Sequence, residues 1–126
     1  FDMKIKCGVD IIEINRIKDS IEKLGDTFLK KVYTKKEIEY CESKGVTKYE
    51  HYAARFAVKE AVFKAVSEEV KDKYEISWKD IETTNDENGR PKVEILFLKN
   101  KKIENVDVSI SHCKDYAVAN VTVLLK

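Results

Sequence analysis

Apolar and polar residues alternate along the start of the chain, over residues 4–11. A period of two is that of a β-strand, so this stretch predicts a strand with one buried face, formed by its apolar side chains. Those side chains are Ile5, Cys7, Val9 and Ile11. The same alternation returns later in the chain. It predicts strands that begin near residue 76 and lie at residues 93–97, 106–110 and 116–125.

Between the first strand and the others, apolar residues recur at spacings of three and four, which is the helical period. Gly25 and Gly45 mark the ends of two of these segments, as glycine commonly does. The longest segment is rich in alanine, the best helix former. The predicted helices are residues 15–24, a short turn at 28–32, a segment opened by a capping box of Thr34 and Glu37, and residues 49–69.

Turn-forming residues separate the later strands. The segment from Asn85 to Gly89 closes in Asn-Gly, a pair that tolerates positive φ. Other turns are predicted at residues 99–104 and 112–115, and a charged loop at residues 71–75. A strand, then a helical block, then antiparallel hairpins is the order of an α+β fold.

Composition narrows the class of protein. No part of the 126 residues has the composition of a linker, so we expect one domain over residues 1–126. The 24 Lys and Arg residues nearly cancel the 23 Asp and Glu residues. That balance argues against charge-driven disorder and against non-specific nucleic-acid binding. No apolar run approaches the roughly 20 residues of a membrane-spanning helix.

The ends and the cysteines give two further expectations. Met3 is the only methionine, and we expect it to be the natural start, with Phe1 and Asp2 derived from a vector. Cys7, Cys41 and Cys113 are odd in number and form no C-x-x-C motif. Free thiols suit a reducing compartment, so we expect a cytoplasmic protein.

Asp10 is the first residue that departs from the apolar pattern. It interrupts the run Gly-Val-Asp-Ile-Ile, where a carboxylate must be exposed, paired or bound to a metal. Gly8 lies two residues earlier on the same face, and we expect it to leave open space beside the carboxylate. Two interpretations stay open, a solvent-facing residue and a metal ligand.

Glu60 and Lys64 are four residues apart in the longest predicted helix, so they share a face. They are either an exposed helix ion pair or two charges in a cleft, since their neighbours one turn away are small or apolar. A third polar group, His112, lies among hydroxyls at the end of a predicted strand. It is interpreted either as part of a turn or as part of an anion site.

These three places, if they converge, would join two carboxylates, a lysine and a histidine. Carboxylate oxygens are hard ligands suited to Mg²⁺. Cations beside a metal neutralise the charge of a transferring phosphoryl group. Neither a dinucleotide fingerprint, a P-loop nor a nucleophile elbow occurs in the sequence. The residues alone therefore indicate an Mg²⁺-dependent transferase of phosphoryl type.

Four segments in order resemble the motifs of the 4′-phosphopantetheinyl transferase family, in its small holo-acyl-carrier-protein synthase type. They are GVDIIEINRI at residues 8–17, RFAVKEAVFKA at residues 55–65, WKDIETTNDENGRPKV at residues 78–93 and SISHCKDYAVANV at residues 109–121. The resemblance implies an antiparallel sheet with the long motif helix packed on it. It also implies transfer of 4′-phosphopantetheine from coenzyme A to a serine of apo-acyl carrier protein, in support of fatty acid biosynthesis.

The resemblance also implies roles for individual residues. Asp10 and Glu60 would hold Mg²⁺, and with Lys64 they would be the catalytic residues. Lys64 would also contact the coenzyme A phosphates. The remaining substrate contacts would come from Arg55, Gly89, Arg90, Pro91 and His112, and Arg16 would bind the acidic carrier protein. Members of this type form homotrimers that share active sites between neighbouring subunits.

The implied mechanism is direct transfer. The carrier serine would lose its proton to a water or a carboxylate, with the identity of the base left open, and would attack the β-phosphorus of coenzyme A. Adenosine 3′,5′-bisphosphate would leave. Two other hypotheses remain, a carrier-binding module without catalysis and a different Mg²⁺-dependent nucleotide enzyme. One departure favours the former: residues 66–74 lack the glycine-rich turn usual in the family.

Overall fold

The computed structural model describes residues 3–70, 76–96 and 103–126, and it is an α+β fold. Short 3₁₀ helices lie at Gly45–Thr47, Ser67–Glu69 and Trp78–Asp80. The helices and strands are β1 (Lys4–Glu13), α1 (Ile14–Leu24), α2 (Asp26–Val32), α3 (Lys35–Glu42), α4 (Lys48–Ala65), β2 (Ile81–Asn85), β3 (Pro91–Ile95), β4 (Ile103–His112) and β5 (Tyr116–Leu125). No helix in the described ranges is long and apolar enough to cross a membrane.

The strands form two antiparallel sheets, one of β1, β5 and β4 in that order and one of β2 and β3. Helix α4 packs on the inner face of the first sheet, where alternate β5 residues are buried. Apolar residues of α4, β5 and β2 share one core cluster, while α1, α3 and the first turns of α4 share a second. The long helix therefore joins the two halves of the interior.

The face of β1 that packs inward is opposite to the one predicted. Ile5, Val9 and Ile11 are 69%, 53% and 65% exposed, whereas Gly8 is buried. The prediction that the apolar face of this strand is buried is therefore wrong for the single chain. The inward face carries Lys6, Gly8 and Asp10, because α4 approaches β1 on that side.

Gly8 allows this close approach of β1 and α4. The prediction that Gly8 leaves open space beside Asp10 is therefore wrong. A Cβ atom at Gly8 would collide with the carbonyl oxygen of Ala61 and would lie 2.9 Å from the amide nitrogen of Ala65. Only a residue without a side chain lets the strand and the helix backbone come so near. The glycine thus brings the inner face of β1 against the stretch of α4 that carries Glu60 and Lys64.

The predicted capping box is confirmed. The hydroxyl of Thr34 accepts from the amide of Glu37, and the carboxylate of Glu37 accepts from the amide of Thr34. Glu37 is also fully buried and accepts from the ammonium of Lys59 at 2.7 Å. Nothing in the residue pattern indicated this buried ion pair between α3 and α4.

Several boundaries differ from those predicted. Helix α4 ends at Ala65, and the 3₁₀ turn Ser67–Glu69 takes the place of its last predicted turn. Strand β2 begins at Ile81, after the 3₁₀ turn Trp78–Asp80, and β4 begins inside the predicted turn at residues 99–104. The turn before β3 is confirmed, with Gly89 at a φ of 81°. The predicted loop at residues 71–75 and the end of the strand at Phe97 lie outside the described residues.

Candidate active site

Asp10 and Lys64 meet where α4 crosses β1. The ammonium of Lys64 donates to Asp10 Oδ1 at 3.0 Å and to the carbonyl oxygen of Val9 at 2.9 Å. The Asp10 side chain is 16% exposed and that of Lys64 is 58% exposed. The aspartate is thus held at the wall of a cleft, while the lysine reaches over it from the solvent side.

Glu60 lies one turn before Lys64 on α4 and lines the same cleft as Asp10. The cleft has a volume of about 260 Å³, and Arg16, Ser20 and Phe56 also line it. Ala61, which lies between Glu60 and Lys64 in the sequence, is the residue that touches Gly8. The contact between α4 and β1 therefore fixes the positions of the Glu60 and Lys64 side chains relative to β1. The structure therefore brings Asp10, Glu60, Lys64 and Arg16 to one place.

The electrostatics of Glu60 reflect its half-buried position. Burial raises the pKa of the carboxyl group, and the negative charge of Asp10 raises the pKa further. A hydrogen bond from the indole of Trp78 and the charge of Lys64 act in the opposite direction. Two carboxylates this close repel each other, and a cation between them would relieve that repulsion.

This pair of carboxylates suits a divalent cation that takes most of its ligands from elsewhere. Among the described residues, no group of three or more His, Cys, Asp or Glu side chains is placed to hold a metal ion. Mg²⁺ is usually bound by one or two carboxylates together with waters and substrate phosphates. Asp10 and Glu60 therefore fit Mg²⁺ in an open site better than they fit an ion bound by protein ligands alone.

A second and more apolar cavity, of about 530 Å³, adjoins the cleft. Glu60 lines both, so the carboxylate lies at the junction between them. The other side chains around this cavity are Lys31, Phe63, Ser67, Val70, Ile76, Ser77 and Trp78.

Arg55 belongs to a separate cluster. It is 3% exposed, its guanidinium stacks 4.0 Å from the centre of the Tyr40 ring, and it donates to Asn85 Oδ1 at 2.7 Å. The amide of Asn85 in turn donates to the carbonyl oxygen of Gly89 at 3.0 Å, which ties the Gly89 turn to the arginine. Arg55 Nε is buried and has no hydrogen-bond partner. That buried donor is unsatisfied until an acceptor reaches it.

His112 lies beside this cluster, at the end of β4. Its Nδ1 is 3.6 Å from the carboxylate of Glu50, and its ring centre is 6.0 Å from that of His51. Burial lowers the pKa of His51, and the positive charges of Lys44 and Arg55 lower it further. The region around Arg55 and His112 therefore combines the cationic groups of Lys44 and Arg55 with one carboxylate, that of Glu50.

Arg90 and Pro91 line a third cleft, which lies on the outer face of the sheet. Arg90 is 3.7 Å from Asp107, and both side chains are largely exposed. With Ser109 and Asn120 they border a cleft of about 240 Å³. These residues do not join the Asp10 cleft within one chain.

The two main clusters also lie on different sides of α4. Arg55 and Glu60 are five residues apart, which places them about 140° apart around a helix. Sequence reasoning missed Trp78, Asn85 and His51. His51 precedes Arg55 by four residues, and that spacing could have placed both on one helical face.

The family follows from a comparison with known sequences. A family model for the 4′-phosphopantetheinyl transferase superfamily matches residues 6–121, a span that includes every residue of both clusters. This chain belongs to the 4′-phosphopantetheinyl transferase superfamily. The resemblance described from the motifs is thereby confirmed.

Curated relatives of this transferase are named holo-[acyl-carrier-protein] synthase. The protein of Ruminiclostridium cellulolyticum is 43% identical over 128 residues, which cover 98% of this chain and 94% of that protein. The protein of Thermodesulfovibrio yellowstonii is 47% identical over 116 residues, which cover 92% of this chain and 95% of that protein. The likeness is therefore not confined to the motifs.

Solved structures of transferases share the fold. The holo-(acyl-carrier-protein) synthase of Bacillus anthracis, in complex with CoA (3′,5′-ADP), has a TM-score of 0.78 and 38% identity, over 99% of this chain and 100% of that one. The Helicobacter pylori enzyme, in complex with coenzyme A, has a TM-score of 0.80 and 29% identity, over 93% of this chain and 98% of that one. These likenesses confirm the predicted α+β fold.

Proposed function

We propose that this chain is a holo-[acyl-carrier-protein] synthase. It transfers 4′-phosphopantetheine from coenzyme A to a serine of apo-acyl carrier protein, releases adenosine 3′,5′-bisphosphate, and so supports fatty acid biosynthesis. The observation that carries this proposal is that Asp10 and Glu60 line one cleft, with Lys64 paired to Asp10, in a chain that belongs to this family. Its three cysteines are free, as is usual in a reducing compartment, and we propose that the enzyme works in the cytoplasm.

Asp10 and Glu60 would hold Mg²⁺. When bound, the ion would neutralise charge on the diphosphate of coenzyme A and on the leaving group. Lys64 needs no large movement to assist, because its ammonium already donates to Asp10 and its side chain is more than half exposed. A cation placed there stabilises the negative charge that develops on the leaving phosphate.

Arg16 would bind the carrier protein. It is exposed on α1 and lines the same cleft as Asp10 and Glu60. An acidic carrier that docks on α1 would therefore deliver its serine next to the carboxylates. Electrostatic attraction of this kind mainly speeds association and selects the partner.

The second cluster would bind the nucleotide part of coenzyme A. Arg55 offers an unpaired buried Nε and connects through Asn85 to the turn at Gly89, while His112 lies beside the cluster and Arg90 and Pro91, next along the chain from Gly89, would contribute from their own cleft. Guanidinium and imidazolium groups are suited to phosphate oxygens. These assignments require that one coenzyme A molecule touch both clusters.

A homotrimer would satisfy that requirement. In one chain the two clusters are on different sides of α4, so we propose that each active site joins the Asp10 cleft of one subunit to the Arg55 cluster of its neighbour. The exposed apolar face of β1 and β5 supports an interface, because isolated domains rarely leave so many neighbouring apolar side chains in water. Its exposed members include Ile5, Val9, Ile11 and Tyr116.

Replacing Ile5 by aspartate should separate the subunits. A charge at this position, 69% exposed in the single chain, would be buried without a partner in the interface. Sedimentation should show the wild-type 14.6 kDa chain as a trimer and Ile5→Asp as a monomer with little transfer activity. Leu24→Asp changes a 57% exposed apolar residue at the end of α1, outside the two strands, and it should remain trimeric. A trimeric Ile5→Asp variant would contradict this interface.

Intact-mass measurement of an apo-acyl carrier protein tests the function directly. After incubation with this chain, coenzyme A and Mg²⁺, the carrier should gain the mass of one phosphopantetheine group, and EDTA should prevent the gain. A carrier that binds without gaining mass would identify a non-catalytic module. A different nucleotide product in place of adenosine 3′,5′-bisphosphate would identify another Mg²⁺-dependent enzyme.

A further inference from the structure

Trp78 is the only tryptophan in the chain, and its side chain borders Glu60. Its indole Nε1 donates to Glu60 Oε2 at 3.4 Å. Among the described residues no other hydrogen bond to the Glu60 carboxylate is present. The terminal torsion of a glutamate has a broad, roughly two-fold profile, so a carboxylate without a fixed partner takes many orientations. The indole is therefore the group that selects one of them.

The backbone of Trp78 is itself held by α4. The ammonium of Lys59, the residue next to Glu60, donates to the Trp78 carbonyl oxygen at 2.9 Å. Lys59 is fully buried and paired with Glu37, which also accepts from the amide of Thr83 at 2.9 Å. Two consecutive residues of α4 thus hold Trp78 at both ends, one by its carbonyl group and the other by its indole.

The ring of Trp78 is also fixed. It lies 6.1 Å from the ring of Phe56, centre to centre, and the ammonium of Lys31 lies 6.0 Å from its centre. A capping box between Ser77 and Asp80 closes the 3₁₀ turn that carries it. The indole donor consequently meets Glu60 from a rigid position, as groups that orient a metal ligand commonly do.

We infer that Trp78 is a positioning residue: its indole N–H fixes the Glu60 carboxylate in the orientation that binds the divalent cation, and the buried pair of Lys59 and Glu37 fixes Trp78. The inference rests on the proposed function, because it takes Glu60 to be a ligand of the cation. Trp78 does not touch the reacting atoms in this proposal. It acts through Glu60 alone.

The test compares Mn²⁺ binding by Trp78→Phe, Glu60→Gln and the double variant, in the presence of coenzyme A and without carrier protein. Free Mn²⁺ is measured by electron paramagnetic resonance, so the result does not depend on transfer activity. Removing an outer partner of a metal ligand typically weakens metal binding by about 10-fold or more. We expect that loss in Trp78→Phe, which keeps the aromatic ring, together with a melting temperature close to that of the wild type.

The double variant separates a positioning role from a general one. If the indole acts through Glu60, Trp78→Phe should add nothing to the loss caused by Glu60→Gln. Wild-type Mn²⁺ affinity in Trp78→Phe, or additive losses in the double variant, would overturn the inference. Unchanged Mn²⁺ affinity in Glu60→Gln would instead overturn the metal assignment on which the proposed function depends.

The fluorescence of the wild-type protein gives a second measurement that needs no change at Trp78. Because the chain has a single tryptophan, its emission reports on this position alone. Paramagnetic Mn²⁺ bound at Glu60 with coenzyme A should quench the emission, and the same addition to Glu60→Gln should quench much less. Emission that does not respond to Mn²⁺ in the wild type would also overturn the inference.

Discussion

Replacing Glu60 by glutamine is expected to lower kcat for phosphopantetheine transfer by about 10³-fold, because stabilisation of phosphoryl charge by a bound cation is worth several kcal/mol and each 1.4 kcal/mol is a factor of ten. Glutamine keeps the shape of the side chain and an oxygen that can accept from the Trp78 indole. It removes the negative charge with which Glu60 would hold the proposed cation. Turnover of apo-carrier, followed by mass at saturating coenzyme A and Mg²⁺, measures the loss.

The fold should tolerate this change. Burial already raises the pKa of Glu60, which means that the folded chain disfavours its charged form, and a neutral amide relieves that cost. The melting temperature should therefore stay at or above the wild-type value. Glu68→Gln is the matched control, because Glu68 is 77% exposed and, within the described ranges, pairs with Lys6 alone. A Glu60→Gln enzyme with more than a tenth of wild-type activity would contradict the role of Glu60 as a metal ligand.

The sequence predicted those elements whose signals are local. The capping box of Thr34 and Glu37 and the bounds of the last strand, Tyr116–Leu125, follow from neighbouring residues and appear as expected. The end of α4 was predicted too late, since helix-forming residues continue past Ala65 while the chain changes to a 3₁₀ turn. Residue preference cannot place such a boundary when packing decides it.

The orientation of β1 shows a different limit. The alternation of Ile5, Val9 and Ile11 with polar residues correctly predicts a strand, but it does not tell which partner covers the apolar face. In this chain the inward face carries Gly8, where a side chain would collide with the backbone of α4. A pattern that another subunit covers, as we propose for this face, would look the same in sequence as one that the chain's own core covers.

The candidate site likewise contains residues that the sequence predicted and residues that it did not. Asp10, Glu60 and Lys64 were singled out because each breaks a local pattern, and the structure places them together. Trp78 fits an ordinary strand start in the sequence, so its contact with Glu60, 18 residues away, left no signal. The family's glycine-rich turn is absent, and of the stretch that replaces it the structure describes only residues 66–70, which form the turn at Ser67–Glu69.

The buried pair of Lys59 and Glu37 is the other feature without a local signal, and all its groups are satisfied. Lys59 donates to the Glu37 carboxylate and to the carbonyl oxygens of Trp78 and Ile81. Glu37 accepts from Lys59 and from the backbone amides of Thr34 and Thr83. Burial lowers the pKa of Lys59, and the charge of Glu37 opposes that shift. Three acceptors surround the three ammonium protons and hold the lysine side chain in place.

Replacing Lys59 by methionine should therefore destabilise the fold by about 3–5 kcal/mol, because it leaves the Glu37 carboxylate buried without a cation. That loss is a large part of the 5–15 kcal/mol that stabilises a typical domain. The measurement is the urea midpoint at neutral pH, compared with Lys48→Met, which removes a partly exposed pair with Glu42 and should cost less than about 1 kcal/mol.

The double variant Lys59→Met/Glu37→Met should regain only part of the loss, since the amides of Thr34 and Thr83 would then lack an acceptor. Equal midpoints for Lys59→Met and Lys48→Met would show that the buried pair contributes no more than a surface one.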